Sequence, residues 1–236
     1  MAATEPPGQL IGAGRSADVY AIGTDRVLRR FRTPYEVRTE AETMTYLAQA
    51  GFPVPKVYDA DGRDLVMERL DGREMLAELG SKPWLARRYG RLLASLHDRL
   101  HEIRAPAGLP TPFGPGDRVL HLDLHPGNVM LTARGPVVID WTNASAGPPG
   151  ADVAMAYLIM ASSDVGEISM PLRPAVKTVR AALVGQFRAA VSDDPGPYIA
   201  SVARARMSDR NIRPAEVKRL MQLAEQAERS GGVSPA

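Results

Sequence analysis

The residues best suited to chemistry lie in HLDLHPGNVML, residues 121–131, and in VVIDW, residues 137–141. Asp123 and Asn128 are five apart, with Pro126-Gly127 between them. That break forbids a helix, so both side chains belong to a loop. NVMLT and VVID read as two short strands joined by ARGP, with Asn128 starting the first and Asp140 ending the second. Cross-strand neighbours lie about 5 Å apart at Cα, so an amide oxygen and a carboxylate at these positions can share one cation. Oxygen ligands without sulfur suit a hard ion, most simply Mg²⁺, which keeps several waters and binds phosphates. A carboxylate just ahead of such a pair suggests phosphoryl transfer, which needs an acceptor for the hydroxyl proton, a cation bridging phosphates and a positioned donor. Asp123 fits the first role; Asn128 and Asp140 fit the second.

Composition bounds the classes that could carry this chemistry. With 44% hydrophobic and 24% charged residues in 236, the chain reads as soluble and globular, long enough for one large domain or two small lobes. No apolar run approaches the roughly 20 residues of a membrane helix. The first residues, MAATEPPGQL, lack the basic and apolar regions of a signal peptide, so a cytoplasmic setting is expected. Zero cysteines exclude disulfides, thiolate metal sites and Cys nucleophiles. A net charge of +2 implies no strong field for nucleic acid. Of 29 basic residues 25 are Arg, and residues 1–55 contain no Lys.

The elements that must position the loop follow from pattern. QLIGAG, ADVYAIG and RVLRRF read as three short strands, residues 9–32. Residues 39–50 read as a helix with a Thr39/Glu42 capping box and a stop at Gly51. VPKVYDADGRDLVMERL is a hairpin turning at Asp61-Gly62. Residues 83–103 have helical spacing, and beyond Gly150 the segments 151–162, 173–191, 196–207 and 214–229 each carry an apolar stripe. The expectation is an α+β chain: a small β-rich lobe with one helix, residues 1–69, then a mainly helical lobe, residues 70–236, interrupted by one hairpin.

H-x-D-x-x-x-x-N followed by an Asp on the next strand resembles the protein-kinase-like fold. HLDLHPGNVML with VVIDW is similar to the aminoglycoside phosphotransferase and choline kinase branch of it. The resemblance covers nearly the whole chain up to about residue 160 and implies a two-lobed enzyme using ATP and Mg²⁺. LIGAGRSADVY then matches the glycine-rich turn over the ATP phosphates through Gly12, Gly14 and Val19, with Ala17 where a third Gly is usual. Ser16 either donates to a phosphate or favours the turn. Glu40 matches the helix glutamate that holds the phosphate-binding cation. LVMERL matches the adenine hinge, where the backbones of Glu68 and Leu70 meet the base. Asp152 matches an acid that caps a helix and braces the catalytic loop. The departure is on the third strand, where Arg29 stands in place of the family's Lys. Alternation puts Val27 and Arg29 on one face and Leu28 and Arg30 on the other, so Arg29 is the expected phosphate contact and Arg30 the fallback. Arg keeps the charge and forks onto two oxygens, but it is bulkier.

The other chemical residue types have plainer readings. His121 in such a loop packs and bonds backbone; His125 either touches substrate or is solvated. A zinc site from His121, His125 and Asp123 leaves Asn128 and Asp140 without a role. His97 and His101 are four apart, but no Glu completes a zinc motif, so helix-surface or interlobe packing is expected. Trp141 reads as core, and the Arg-rich faces at 204–219 as solvated helix. Only eleven residues separate Asp140 from Asp152 and no A-P-E triplet follows, which argues against a protein acceptor. Residues 151–236 hold nine acids against eleven bases, so no trap for a polycation is evident. The expected partner is a small hydroxylated molecule, antibiotic or metabolite, with no nucleic acid, membrane or obligate protein partner. The expected activity is ATP- and Mg²⁺-dependent O-phosphotransfer with Asp123 as base. The alternatives are a non-catalytic nucleotide-binding pseudokinase, motivated by Arg29 and Ala17, and a metal-dependent hydrolase using the His/Asp cluster.

Overall fold

Alternating apolar residues between residues 10 and 68 build an antiparallel sheet. Across it the strands run β1 (Leu10–Ala13), β2 (Ala17–Ile22), β3 (Arg26–Phe31), β5 (Asp64–Glu68) and β4 (Val57–Asp61). The structure is a computed structural model that describes residues 8–14, 16–163, 170–208 and 212–230. The chain divides into two compact units. One holds the described residues up to Arg73 together with Val129–Thr142; the other holds Glu74–Asn128 and the described residues from Asn143 onward.

In the first unit, Asp61 faces Asp64 across the β4–β5 hairpin, so its two-residue turn is Gly62-Arg63. That is one residue beyond the expected Asp61-Gly62. Gly62 there adopts φ 53°, a left-handed conformation that glycine enters at little cost. Helix α1 (Arg38–Gln49) buries Glu40, Ala41, Thr43, Met44 and Leu47, one face at helical spacing. Its expected capping box does not form, because the helix starts early: Val37 is the N-cap and Thr39 is already helical. Glu36 Oε1 accepts the Arg38 N–H instead, at 3.1 Å. Strand β6 (Gly72–Glu74) joins the hairpin β8 (Val129–Thr132) and β9 (Gly135–Val138) in a three-stranded sheet, order β6-β8-β9. Gly72 is required there, since a Cβ would lie 2.4 Å from the Leu131 carbonyl oxygen. The hairpin is shorter than expected: Asn128 closes a 3-10 turn, Pro126–Asn128, before β8, and Asp140 lies two residues past β9. Trp141 is fully buried, as expected. Its Nε1–H donates to the Val138 carbonyl at 3.1 Å, and its ring meets Phe52 edge-on.

The second unit is mainly helical. It contains α2 (Met75–Ser81), a 3-10 turn Pro83–Leu85, α3 (Ala86–His101), α4 (Pro149–Ser162), α5 (Arg173–Ala190), α6 (Ile199–Met207) and α7 (Pro214–Ser230). The expected helix over 83–103 thus begins as the 3-10 turn, since Pro83 can open a helical turn but not continue one. Two short strands that no pattern signals, β7 (Arg118–Leu120) and β10 (Ser145–Gly147), pair antiparallel. Helices α3 and α5 approach closely at Gly90, where a Cβ would lie 2.6 Å from the Leu183 carbonyl oxygen. Leu120, Leu122, Leu158, Ile159, Val202 and Leu220 share one apolar cluster built from β7, the following loop and α4, α6 and α7. Of the arginines at 204–219, Arg210 lies outside the described residues, and Arg206 and Arg219 are not simply solvated, because they tie these helices together. Arg206 donates to Glu216 at 2.8 Å, and Arg219 donates to the Ser162 and Ser163 carbonyls at 3.0 and 2.8 Å. No helix among the described residues is long and apolar enough to cross a membrane.

Candidate functional site

In the first unit the glycine-rich stretch forms the β1–β2 hairpin. Gly12 pairs with Val19 across it, and the Gly14 N–H closes the turn on the Ala17 carbonyl at 2.9 Å. Ser16 is exposed, and its carbonyl accepts from the Arg32 N–H at 2.9 Å. Glu68 ends β5; its N–H donates to the Lys56 carbonyl at 2.8 Å, and its carboxylate accepts from Arg134 at 2.8 Å. Leu70, half-buried, follows in the link to β6.

Arg29, Glu40 and Asp140 come together in this unit. Arg29 is 8% exposed on the inner face of β3. Its Nη1 donates to Glu40 Oε1 at 2.7 Å and its Nη2 to Asp140 Oδ1 at 2.6 Å. Nη2 also reaches Thr142 Oγ1 at 3.2 Å, and that hydroxyl donates to Asp140 Oδ1 at 2.6 Å. The guanidinium carbon lies 4.8 Å from the Phe31 ring centroid. Burial works against the Arg29 charge, but Glu40 and Asp140 outweigh it and hold its pKa above the ordinary value. Burial pushes the Glu40 carboxyl up to about 7, with Arg29 pulling the other way. Arg30, on the opposite face as the alternation expected for β3 has it, donates to Asp64 at 2.8 Å.

In the second unit Asp123 and Asn128 meet. Asn128 Nδ2 donates to the Asp123 carbonyl and to Asp123 Oδ2, each at 2.9 Å. With its amide nitrogen so engaged, Asn128 presents its amide oxygen as the group able to hold a cation. The two loop histidines serve the backbone. His121 Nδ1 accepts the Asp123 N–H at 3.2 Å, and His125 Nδ1 accepts the Gly127 N–H at 3.1 Å. His121 is fully buried, and His125 Nε2 stands 3.7 Å from Asp123 Oδ1. Among the described residues no group of three or more His, Asp and Glu side chains is placed to hold a metal. An Asn oxygen and an Asp carboxylate, without sulfur or imidazole, fit a hard cation such as Mg²⁺.

Asp152 braces the loop ahead of Asp123. Its Oδ1 accepts from the Leu122 N–H at 2.6 Å and its Oδ2 from the His121 N–H at 3.2 Å. It does not cap α4, contrary to expectation. The N-cap is Pro148, and Asp152 lies in the first turn of the helix without a capping hydrogen bond. The brace is needed because Leu122 has φ 58°, a left-handed conformation rare for a bulky residue.

The pattern of types and spacing missed one buried cluster. His101 Nδ1 lies 2.7 Å from Asp193 Oδ2 and Nε2 lies 3.1 Å from Asp152 Oδ2. Both neighbours are acceptors, so both ring nitrogens donate and the ring is an imidazolium. Burial opposes that charge, but the two carboxylates raise the His101 pKa to about 9. Burial would also raise Asp152; its bond to His101 and the nearby imidazoles instead hold it well below the usual carboxylate range. His97, fully buried, donates Nδ1–H to the Leu93 carbonyl at 2.9 Å, and burial holds its pKa down to about 4. The expectation of surface or interlobe packing for these two histidines is therefore corrected. Their burial was readable from Leu93, Leu96 and Leu100, which flank them on one stripe of α3; Asp193 gave no such signal.

A β-rich unit with one helix and a helical unit carrying the Asp-Asn loop define a kinase-like α+β fold. The phosphotransferase enzyme family APH matches residues 7–115 and 103–190, and the chain belongs to that family. Solved structures agree on the fold. A choline/ethanolamine kinase family protein from Mesorhizobium loti is 16% identical with TM-score 0.51, over 98% of this chain and 82% of that one. The gentamicin complex of aminoglycoside phosphotransferase APH(2″)-IIa is 12% identical with TM-score 0.58, over 90% of each chain. The ADP-bound phosphotransferase APH(2″)-Ib is 12% identical with TM-score 0.57, over 93% of this chain and 92% of that one. No curated protein matches the chain in sequence.

Proposed function

We propose that this phosphotransferase moves the γ-phosphoryl group of ATP, with Mg²⁺, to a hydroxyl of a small molecule, antibiotic or metabolite. The observation that carries the reading is the Asp123–Asn128 pair, with Asn128 Nδ2 at 2.9 Å from the Asp123 carboxylate. That bond fixes a half-buried carboxylate whose neighbour offers an oxygen to a hard cation. Asp123 takes the proton of the acceptor hydroxyl as the oxygen bonds to the γ-phosphorus and the bond to the β–γ bridging oxygen breaks, releasing ADP. Asn128 and Asp140 would be the metal ligands, and a hard cation held there would offset the charge that develops on the transferred phosphoryl group. In residues 1–69, the proposed nucleotide lobe, Gly12, Gly14, Ser16 and Val19 cover the phosphates, Arg29 held by Glu40 contacts them, and the Glu68 and Leu70 backbones meet the base. Residues 70–236 form the proposed catalytic and acceptor lobe. The ADP bound to one structural neighbour supports nucleotide use. The implied setting is the cytoplasm, where ATP is formed and held.

An acceptor screen following ADP release tests this. Purified protein with Mg²⁺ should hydrolyse ATP slowly without acceptor, and Asp140→Ala should abolish the hydrolysis. Asp123→Asn should keep nucleotide binding and lose transfer; equal loss of both makes Asp123 a structural acid. The pseudokinase alternative is motivated by Arg29 and Ala17, and it predicts ATP binding with no turnover across the whole panel.

A further inference from the structure

We propose that Arg29 is an intramolecular competitor for divalent metal at Asp140 and so sets the metal affinity of the chain. The inference rests on the reading of Asp140 as a metal ligand. In the structure the Asp140 oxygen Oδ1 already accepts from Arg29 Nη2 and from Thr142 Oγ1, each at 2.6 Å. The guanidinium supplies a full positive charge to the carboxylate, and Thr142 fixes the same oxygen. With both lone pairs of Oδ1 so engaged, a cation arriving there competes with the guanidinium, and whatever that contact loses is subtracted from metal binding.

The fork of the arginine makes the competition possible. Its two terminal nitrogens reach different carboxylates at once, Glu40 through Nη1 and Asp140 through Nη2. A lysine has one nitrogen and must favour one partner. The Glu40 side chain is 1% exposed and that of Asp140 is 37% exposed. An unpaired charge costs far more where water is excluded, so a lysine stays with Glu40 and gives up Asp140. Asp140 also has φ 65°, a turn conformation that its carboxylate bonds help to hold.

The test is Mn²⁺ binding without nucleotide, read by electron paramagnetic resonance on the full chain. Arg29→Lys should bind Mn²⁺ roughly tenfold more tightly than wild type, the equivalent of one charge-assisted hydrogen bond. Asp140→Asn separates the two readings. If Asp140→Asn binds Mn²⁺ like wild type, the metal-ligand reading fails and the inference falls with it. If Asp140→Asn loses Mn²⁺ while Arg29→Lys binds no tighter than wild type, the inference alone is overturned. A second measurement needs no variant at position 29. Mg²⁺ titration of the wild-type chain, followed by arginine side-chain NMR, should shift the buried Arg29 guanidinium signal as the metal site fills. A signal unmoved at saturation, with binding still dependent on Asp140, overturns the competition.

Discussion

The buried imidazolium of His101 makes stability depend on pH in a window that the structure specifies. His101 faces Asp152 on α4 at 3.1 Å and Asp193, beyond α5, at 2.7 Å. The other titratable neighbours are the rings of His97, one turn back on α3, and of His121, beside Asp152. The folded pKa, about 9, lies above the ordinary value of 6.5. Stability from this proton is therefore complete below pH 6.5 and is lost as pH rises through about 9. Between those limits the folded chain binds one proton more than the unfolded chain, so stability falls by at most about 1.4 kcal/mol per pH unit. The whole change is roughly 3 kcal/mol, a large share of the stability of a typical domain. Two of these neighbours act elsewhere: His97, held down to about 4 by burial, weakens the fold only as pH drops below 6.5, and Asp152, held low, only at acid pH. Urea unfolding followed by circular dichroism at steps from pH 6.5 to 10 measures the slope. His101→Gln, which cannot titrate, should unfold at lower urea at pH 6.5 and show a nearly flat profile above pH 7. A variant with the wild-type slope, or a wild type without one, refutes the assignment of an imidazolium between two carboxylates.

Two substitutions in the second unit test the rest of the packing. Gly90→Ala puts a methyl 2.6 Å from the Leu183 carbonyl oxygen, with Gln186 Cβ and the Phe187 nitrogen at 3.0 Å. Overpacking at such a site costs about 1–3 kcal/mol, read as a lowered urea midpoint with unchanged slope, despite the better helix propensity of alanine. Asp152→Ala leaves His101 with one carboxylate and the His121 and Leu122 N–H groups without their acceptor. Breaking a buried ionic cluster in this way costs about 3–5 kcal/mol, so the variant should be recovered only in part, with its loss largest at neutral pH.

The strands and helices of this chain were legible where period and punctuation agree. The alternation in ADVYAIG and RVLRRF, the Asp-Gly turn signal and the apolar stripes beyond Gly150 each fix an element by local chemistry. The misses have two causes: a partner distant in sequence decides the outcome, or a local boundary or stripe extends beyond the motif that was read. β7 and β10 are three residues each and pair with one another, so neither carries a period of its own. Thr39 has the right spacing for a capping box, but the helix starts earlier and the box has no end to cap. His97 and His101 look like surface residues until the stripe of Leu93, Leu96 and Leu100 is counted with them. Among the candidate residues, alternation alone ranked Arg29 over Arg30. Nothing in the local pattern disclosed that Arg29 bonds Asp140, 111 positions away.

The two units solve one physical problem in the same way. Among the described residues the non-glycine positions with left-handed backbone are Leu122 and Asp140. One immediately precedes the proposed base, and the other is a proposed metal ligand. Such conformations cost of order 1–3 kcal/mol each and persist only where the surroundings over-determine them. At Leu122 the N–H is taken by Asp152, whose charge is balanced by His101, itself shared with Asp193. At Asp140 the side chain is taken by Arg29, itself shared with Glu40. In each case a buried cation between two carboxylates holds a strained turn. Removing the cation releases the turn as well as the charge. A variant at His101 or Arg29 should therefore disturb the carboxylate that depends on it more than its own distance from any substrate would suggest.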